Sequence, residues 1–254
     1  MTKITALLPA TAAILFLAAC ADDPASRITT PAVGAAAVSA SANGNSGLTL
    51  HPNGFGPDSY AAWKAHEGEQ DSRGNADHAL YFQKFTATET NAAGVARVMG
   101  LEGQPLSAIQ RLAWEHRVDG WCGAGAPRWD IIVADQNGNR GVIFLGCAAA
   151  VHTPGSEPGW IKDTQPGAAG IAAQPVFGFT PEFNAAGPFT ISELLIVFDE
   201  GTTNLGLPLG PGFVFLDNIQ VNDKIWTSPA DNGDRKSTRL NSSHPRLSRM
   251  PSSA

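Results

Sequence analysis

Apolar residues recur mostly at every second position along the chain, the period of a strand with one face buried. In the segment 112–118, Leu112, Trp114, His116 and Val118 alternate with smaller or charged residues. Short β-branched or aromatic runs follow at 129–133, 142–145, 194–198 and 213–216, each bounded by Gly, Pro, Asn or Asp, as strands usually are. Asp135-Gln136-Asn137-Gly138-Asn139-Arg140 lies between two of these runs and predicts a hairpin turn, with Gly138 supplying the positive φ. A helical period is not sustained over any long window, although residues 59–67 are compatible with a short helix and 106–113 with helix or strand. The stretch 151–175 reads as a long loop. Many short strands with frequent Gly and Pro turns predict an all-β fold, a single antiparallel β-sandwich of jelly-roll type over residues 47–228.

The two ends do not share this pattern. Residues 1–19 have a lysine near the start, an apolar run from Ile4 to Leu17 and then small residues, the three parts of a secretory signal. Leu17-Ala18-Ala19-Cys20 resembles the bacterial lipobox. That resemblance implies an acylated Cys20 as the first mature residue and a partner in the membrane itself, held through the lipid. The alternative is an ordinary signal peptide cut near Ala19 or Ala21. Residues 20–46 are Ala, Ser, Thr, Gly, Asn and Pro with almost no large apolar side chain, too little to offset ordering entropy, and are expected to be a disordered tether. Residues 229–254 are expected to be a disordered tail, of which 234–254 resembles a translated sequencing adapter.

Charge narrows the partners. Between Cys20 and Gly233 the chain carries 22 acidic and 11 basic side chains, which excludes a basic nucleic-acid binder. The expected location is the bacterial cell envelope, periplasmic or surface-facing. Ala21 follows Cys20 where enteric-type sorting to the inner membrane uses aspartate, which leans toward the outer membrane.

Cys122 and Cys147 flank the expected hairpin, and an even pair in an exported chain predicts a disulfide worth roughly 3 kcal/mol. The other reading is a reactive thiol served by His116 or His152. The segment 120–129 (GWCGAGAPRW) is Gly-rich with an indole near each end, but it lacks the Gly-Lys-Ser/Thr ending of a phosphate loop and precedes a strand. Trp121, Arg128 and Trp129 there, and Trp160 within Pro158-Gly159-Trp160-Ile161-Lys162, are the candidate ligand-binding residues, with indole faces for stacking and a guanidinium fork for hydroxyls. The competing role for the same residues is core packing and a buried salt bridge.

Gly212–Asn222 (GFVFLDNIQVN) resembles the last strand of galactose-binding-like jelly rolls, and together with 120–129 it is similar to exported bacterial β-sandwiches. The resemblance implies carbohydrate binding, often with a structural calcium. No metal ligand set is legible in the sequence itself: Asp135, Asn137 and Asn139 alternate as oxygen donors, yet position 146 is Gly where a calcium loop needs Glu. A Gly-x-Ser-x-Gly elbow and a Glu-x-Asp-x-Glu strand are both absent. Glu115 with Asp119, or Asp130 with Glu193, are carboxylate pairs that folding can join, although Glu115 is expected to face solvent opposite Trp114. The sequence therefore predicts a non-catalytic, carbohydrate-binding envelope lipoprotein. The alternatives are an adhesive protein-interaction module and a glycoside or ester hydrolase.

Overall fold

The computed structural model describes residues 47–70, 74 and 76–232. The signal sequence, Cys20, the tether and the segment 233–254 lie outside the described residues. Fifteen strands follow in chain order: β1 Thr49–Phe55, β2 Ser59–Gln70, β3 Ala76–Lys84, β4 Ala93–Met99, β5 Leu112–Arg117, β6 Arg128–Ala134, β7 Arg140–Gly146, β8 Val151–Pro154, β9 Trp160–Thr164, β10 Phe177–Gly178, β11 Thr190–Phe198, β12 Thr203–Asn204, β13 Leu207–Pro208, β14 Phe213–Val221 and β15 Lys224–Trp226. A single α-helical turn, α1, spans Ala168–Ala172.

Two antiparallel sheets make the sandwich. The first has the order β1-β4-β11-β6-β7-β10, and the second β2-β3-β14-β5-β9-β8, with β15 folded back on β14. The all-β class and the β6–β7 hairpin are as the alternation predicts: Gly138 turns at φ 82° and Asp135 Oδ1 accepts the Asn137 and Asn139 amides. One side chain in two from each sheet enters a common core, including Leu112, Trp114, Leu216 and Val214 from the second sheet and Trp129, Ile131, Ile143 and Ile196 from the first. At its centre Trp114 of β5 stacks on Trp129 of β6 across the gap, ring centroids 5.2 Å apart and 24° from coplanar.

Three local expectations are corrected. Residues 59–67, read as a short helix, belong to β2, because pairing with β3 buries Ala61 and packs Trp63 against the core. The loop 151–175 contains β8, β9 and α1, closing the edge of the second sheet beside β5. Pro229–Asn232, assigned to the tail, folds as a 3-10 turn. Asn232 there accepts from the Leu50 amide at 2.7 Å and from Trp226 Nε1 at 3.0 Å, and donates to the Leu50 carbonyl at 2.8 Å, fastening the two ends of the domain to each other.

Truncating Trp129 empties the centre of the sandwich, so Trp129→Ala is expected to cost about 3–5 kcal/mol in urea unfolding, whereas Phe144→Ala on the exposed side of β7 stays within about 1 kcal/mol. Equal losses for the two would contradict the core described here.

Candidate functional site

The outer face of the second sheet carries a second apolar cluster, separate from the core. Ala79 of β3, Phe215 of β14 and Trp160 of β9 are buried in it, with Tyr81 and Phe213 partly exposed above them. Cross-strand register sets this up: Phe215 opposes Tyr81, and Phe213 opposes Gln83, which opposes Tyr60 on β2. Tyr81 sits 4.7 Å from Phe215, 5.8 Å from Tyr60 and 6.0 Å from Phe213, centroid to centroid. The rings line an open depression of about 400 Å³, completed by Phe85, Lys64 and Glu67. Lys64 Nζ lies 5.3 Å from the Tyr60 ring and 5.5 Å from the Tyr81 ring, and the Arg117 guanidinium is 3.7 Å from the centre of Phe215. Burial, with Tyr60 alongside, pushes the Tyr81 hydroxyl up to about 12, so at neutral pH it keeps its proton and donates to Gln83 Oε1.

The same face holds a group of carboxyls. Glu115 of β5 and Asp217 of β14 are direct cross-strand neighbours, and both are 2% exposed. A bulge in β2 between Ala65 and Gln70 lifts Glu69 over them, and its amide donates to Asp217 Oδ2 at 2.8 Å. A second bulge follows Asp217 in β14, where Asn218 takes φ 46° and its side chain donates to Glu69 Oε2. Gly68 is required here, since a Cβ on it would stand 2.4 Å from the His78 carbonyl oxygen and 2.7 Å from Asp217 Oδ2. Glu115 accepts from the Ser156 amide at 2.5 Å and from its hydroxyl at 2.9 Å. Glu69, Asp217, Asn218, Asp77, Ser156 and Glu157 border a polar cleft of about 280 Å³.

Burial first, then the hydrogen bond and charge of Glu115 and the charge of Asp217, push the Glu69 carboxyl up to about 8. Burial likewise pushes Asp217 up to about 7, against the lowering effect of the Glu69 and Asn218 amides. Glu69 Oε1 is buried without a hydrogen-bond partner among the described residues. The expectation that Glu115 faces solvent is corrected: it does point away from Trp114, but the loop at Ser156 covers it.

The residues singled out by the sequence are engaged inside the fold. Trp129 has no exposed surface. Trp121 lies flat on Gly210, where a Cβ would be 2.0 Å from its ring, and donates through Nε1 to Glu200 Oε2. The Gly125 amide donates to Glu200 Oε1 at 3.1 Å, so the Gly-rich loop wraps a carboxylate of its own chain. Arg128 donates to Asp199 through both terminal nitrogens, at 2.5 and 2.7 Å, and to Asp130 at 2.7 Å. Burial opposes the Arg128 charge, but Asp199 and Asp130 outweigh it and hold the guanidinium above its ordinary range. Of the four candidates only Trp160 belongs to the outer-face cluster, as part of its buried bed. Cys122 and Cys147 form the expected disulfide.

The calcium implied by the resemblance finds no fit at the two acidic places of the domain. Asp135 is surrounded by N–H donors from Asn137, Asn139 and Asn184, and does not fit. Glu69, Glu115 and Asp217 do not fit either: they are hard oxygen donors, but their ligand atoms do not gather within 4.8 Å of one another, and both oxygens of Asp217 and of Glu115 already accept from protein donors.

No protein-family model matches this chain, and neither the curated proteins nor the solved structures hold a match to it.

Both raised carboxyls bind protons more tightly folded than unfolded, so their contribution to stability is present in acid and is lost as pH rises through the folded values. In chelator-treated buffer the melting temperature is therefore expected to fall between about pH 5 and about pH 8.5. Glu69→Gln should flatten that slope and raise the melting temperature at the alkaline end. A wild-type melting temperature that rises over this window would contradict the burial of these acids.

Proposed function

We propose that this chain is an envelope lipoprotein, tethered through Cys20, whose sandwich binds a neutral glycan on the outer face of the second sheet. The observation carrying this reading is the row of Tyr60, Tyr81, Phe213 and Phe215 along the 400 Å³ depression. Apolar sugar faces stack on such rings, while Lys64 and Glu67 at the margin suit hydroxyl groups. The ligand face thus differs from the Trp121–Trp129 loop that the sequence pointed to, because that loop spends its donors on Glu200 and Asp199.

A second reading, glycoside hydrolysis, draws on one observation: Glu69, a carboxyl that burial and its acidic neighbours push up to about 8, lies on the same face as the buried Glu115 and Asp217. Separate measurements sort the two readings. In glycan-array and calorimetric binding, Tyr60→Ala and Tyr81→Ala are each expected to weaken affinity by about fivefold to tenfold, with Trp121→Phe near wild type. Release of reducing ends that stops in both Glu69→Gln and Glu115→Gln is the result that favours hydrolysis. Labelled palmitate should appear on the expressed chain and vanish with Cys20→Ala; label on neither protein removes the lipid anchor from the proposal.

A further inference from the structure

Beside the disulfide lies a polar group that a disulfide does not require. Asp163 of β9 is 1% exposed and points into the sandwich, where its Oδ2 accepts from Trp114 Nε1 at 2.7 Å and from His116 Nδ1 at 2.5 Å. Its Oδ1 accepts from His152 Nδ1 at 2.7 Å. Cys147 Sγ stands 3.3 Å from Asp163 Oδ2, but a disulfide sulfur has no proton to offer, so in the oxidised chain this contact joins two electron-rich atoms. Burying a carboxylate is costly, and it is ordinarily found where something uses the charge.

The ligand atoms of His116, Cys122, Cys147 and Asp163 all fall within 4.8 Å of one another. Two donors on a tetrahedral zinc, at about 2.0–2.3 Å from the metal, stand on the order of 3.5 Å apart, so the set has the right size once the sulfur–sulfur bond is open. The four come from separate segments: β5, the loop before β6, the 3-10 turn Cys147–Ala149 and β9. Three of them are buried and Cys122 is half-buried, the arrangement of a closed site with one accessible edge. His152 and Trp114 would stay on Asp163 as the groups that orient it.

We propose that reduction of Cys122–Cys147 converts this cluster into a four-ligand site for a thiophilic divalent metal such as zinc. In that conversion a dithiol reductant gives two electrons and two protons. The bond between the cysteine sulfurs breaks, the reductant leaves as its own disulfide, and the incoming metal displaces both thiol protons to solvent. Asp163 and one imidazole nitrogen of His116 complete the coordination. A disulfide oxidant that takes the two electrons and leaves as its dithiol re-forms Cys122–Cys147 and expels the metal, so disulfide and metal are alternative fillings of one space. The proposal is independent of what the outer face binds.

Cobalt(II) titration of the full chain tests it, with a phosphine reductant that does not chelate. The reduced protein is expected to take up one equivalent with the intense visible bands of tetrahedral cobalt and a near-ultraviolet thiolate charge-transfer band, and zinc should displace it stoichiometrically. The oxidised protein and Cys122→Ser/Cys147→Ser should bind none. His116→Ala and Asp163→Asn should each weaken binding by at least about tenfold, and His152→Ala by about 10–100-fold through loss of orientation. No uptake by the reduced wild type overturns the proposal, and so does an octahedral spectrum. An unchanged spectrum and affinity in both His116→Ala and Asp163→Asn also overturns it, leaving two thiolates alone as the binder. If Asp163→Asn loses its β-sheet circular dichroism, His116→Ala and the wild-type spectrum decide the matter.

Discussion

Trp114 on Trp129, one indole from each sheet, is the contact that the remaining architecture serves. Two large flat rings close the sandwich at its centre, one from each sheet. Trp114 also donates its buried N–H to Asp163, whereas the Trp129 N–H is buried without a partner among the described residues. Burying Asp163 then requires further donors, which His116 and His152 supply. The disulfide sits against the same carboxylate and ties the loop before β6 to the turn after β7. The Trp114 indole, two imidazoles and the disulfide thus meet on one buried carboxylate.

With the inner faces committed to each other, the outer faces and loops are the surfaces left to solvent. Sheet pairing places rings on alternate positions of β2, β3 and β14, so an aromatic strip forms on the far side of the second sheet from the same alternation that fills the core. Bulges do what regular pairing does not. The one in β2 raises Glu69 above the sheet, and the one at Asn218 turns a side-chain amide toward it. The result is a face that is aromatic at one end and carboxyl-rich at the other, with Glu69 and Asp217 raised by burial into the neutral range.

Much of the fold was legible in the sequence, because Leu112–Arg117 alternates as a half-buried strand must and the apolar run of β14 is bounded by turn residues, although Val118, the last position of the expected alternation, lies past β5 and is exposed. Residues 59–67 misled because alanine, lysine and glutamate are good helix formers, and only pairing with β3 decides for a strand. The aromatic and glycine content of 120–129 was legible too, but not its occupant: Glu200 is 75 residues beyond Gly125 and nothing local announces it. The carboxyl group was the least legible part. Glu69 and Asp217 meet across 148 residues, joined by register and a bulge rather than by spacing. The available signal was an acid inside the apolar run of β14 and another in the alternating β5, both in places where solvent is scarce.

Aromatic side-chain NMR during titration with an oligosaccharide identified by array screening gives the most direct reading of where a ligand lies. If the outer face of the second sheet is the binding surface, ring signals of Tyr60, Tyr81, Phe213 and Phe215 shift with ligand while those of Trp114 and Trp129 hold still. Shifts confined to Trp121 and its glycine-rich loop, with the tyrosines unmoved, would contradict it.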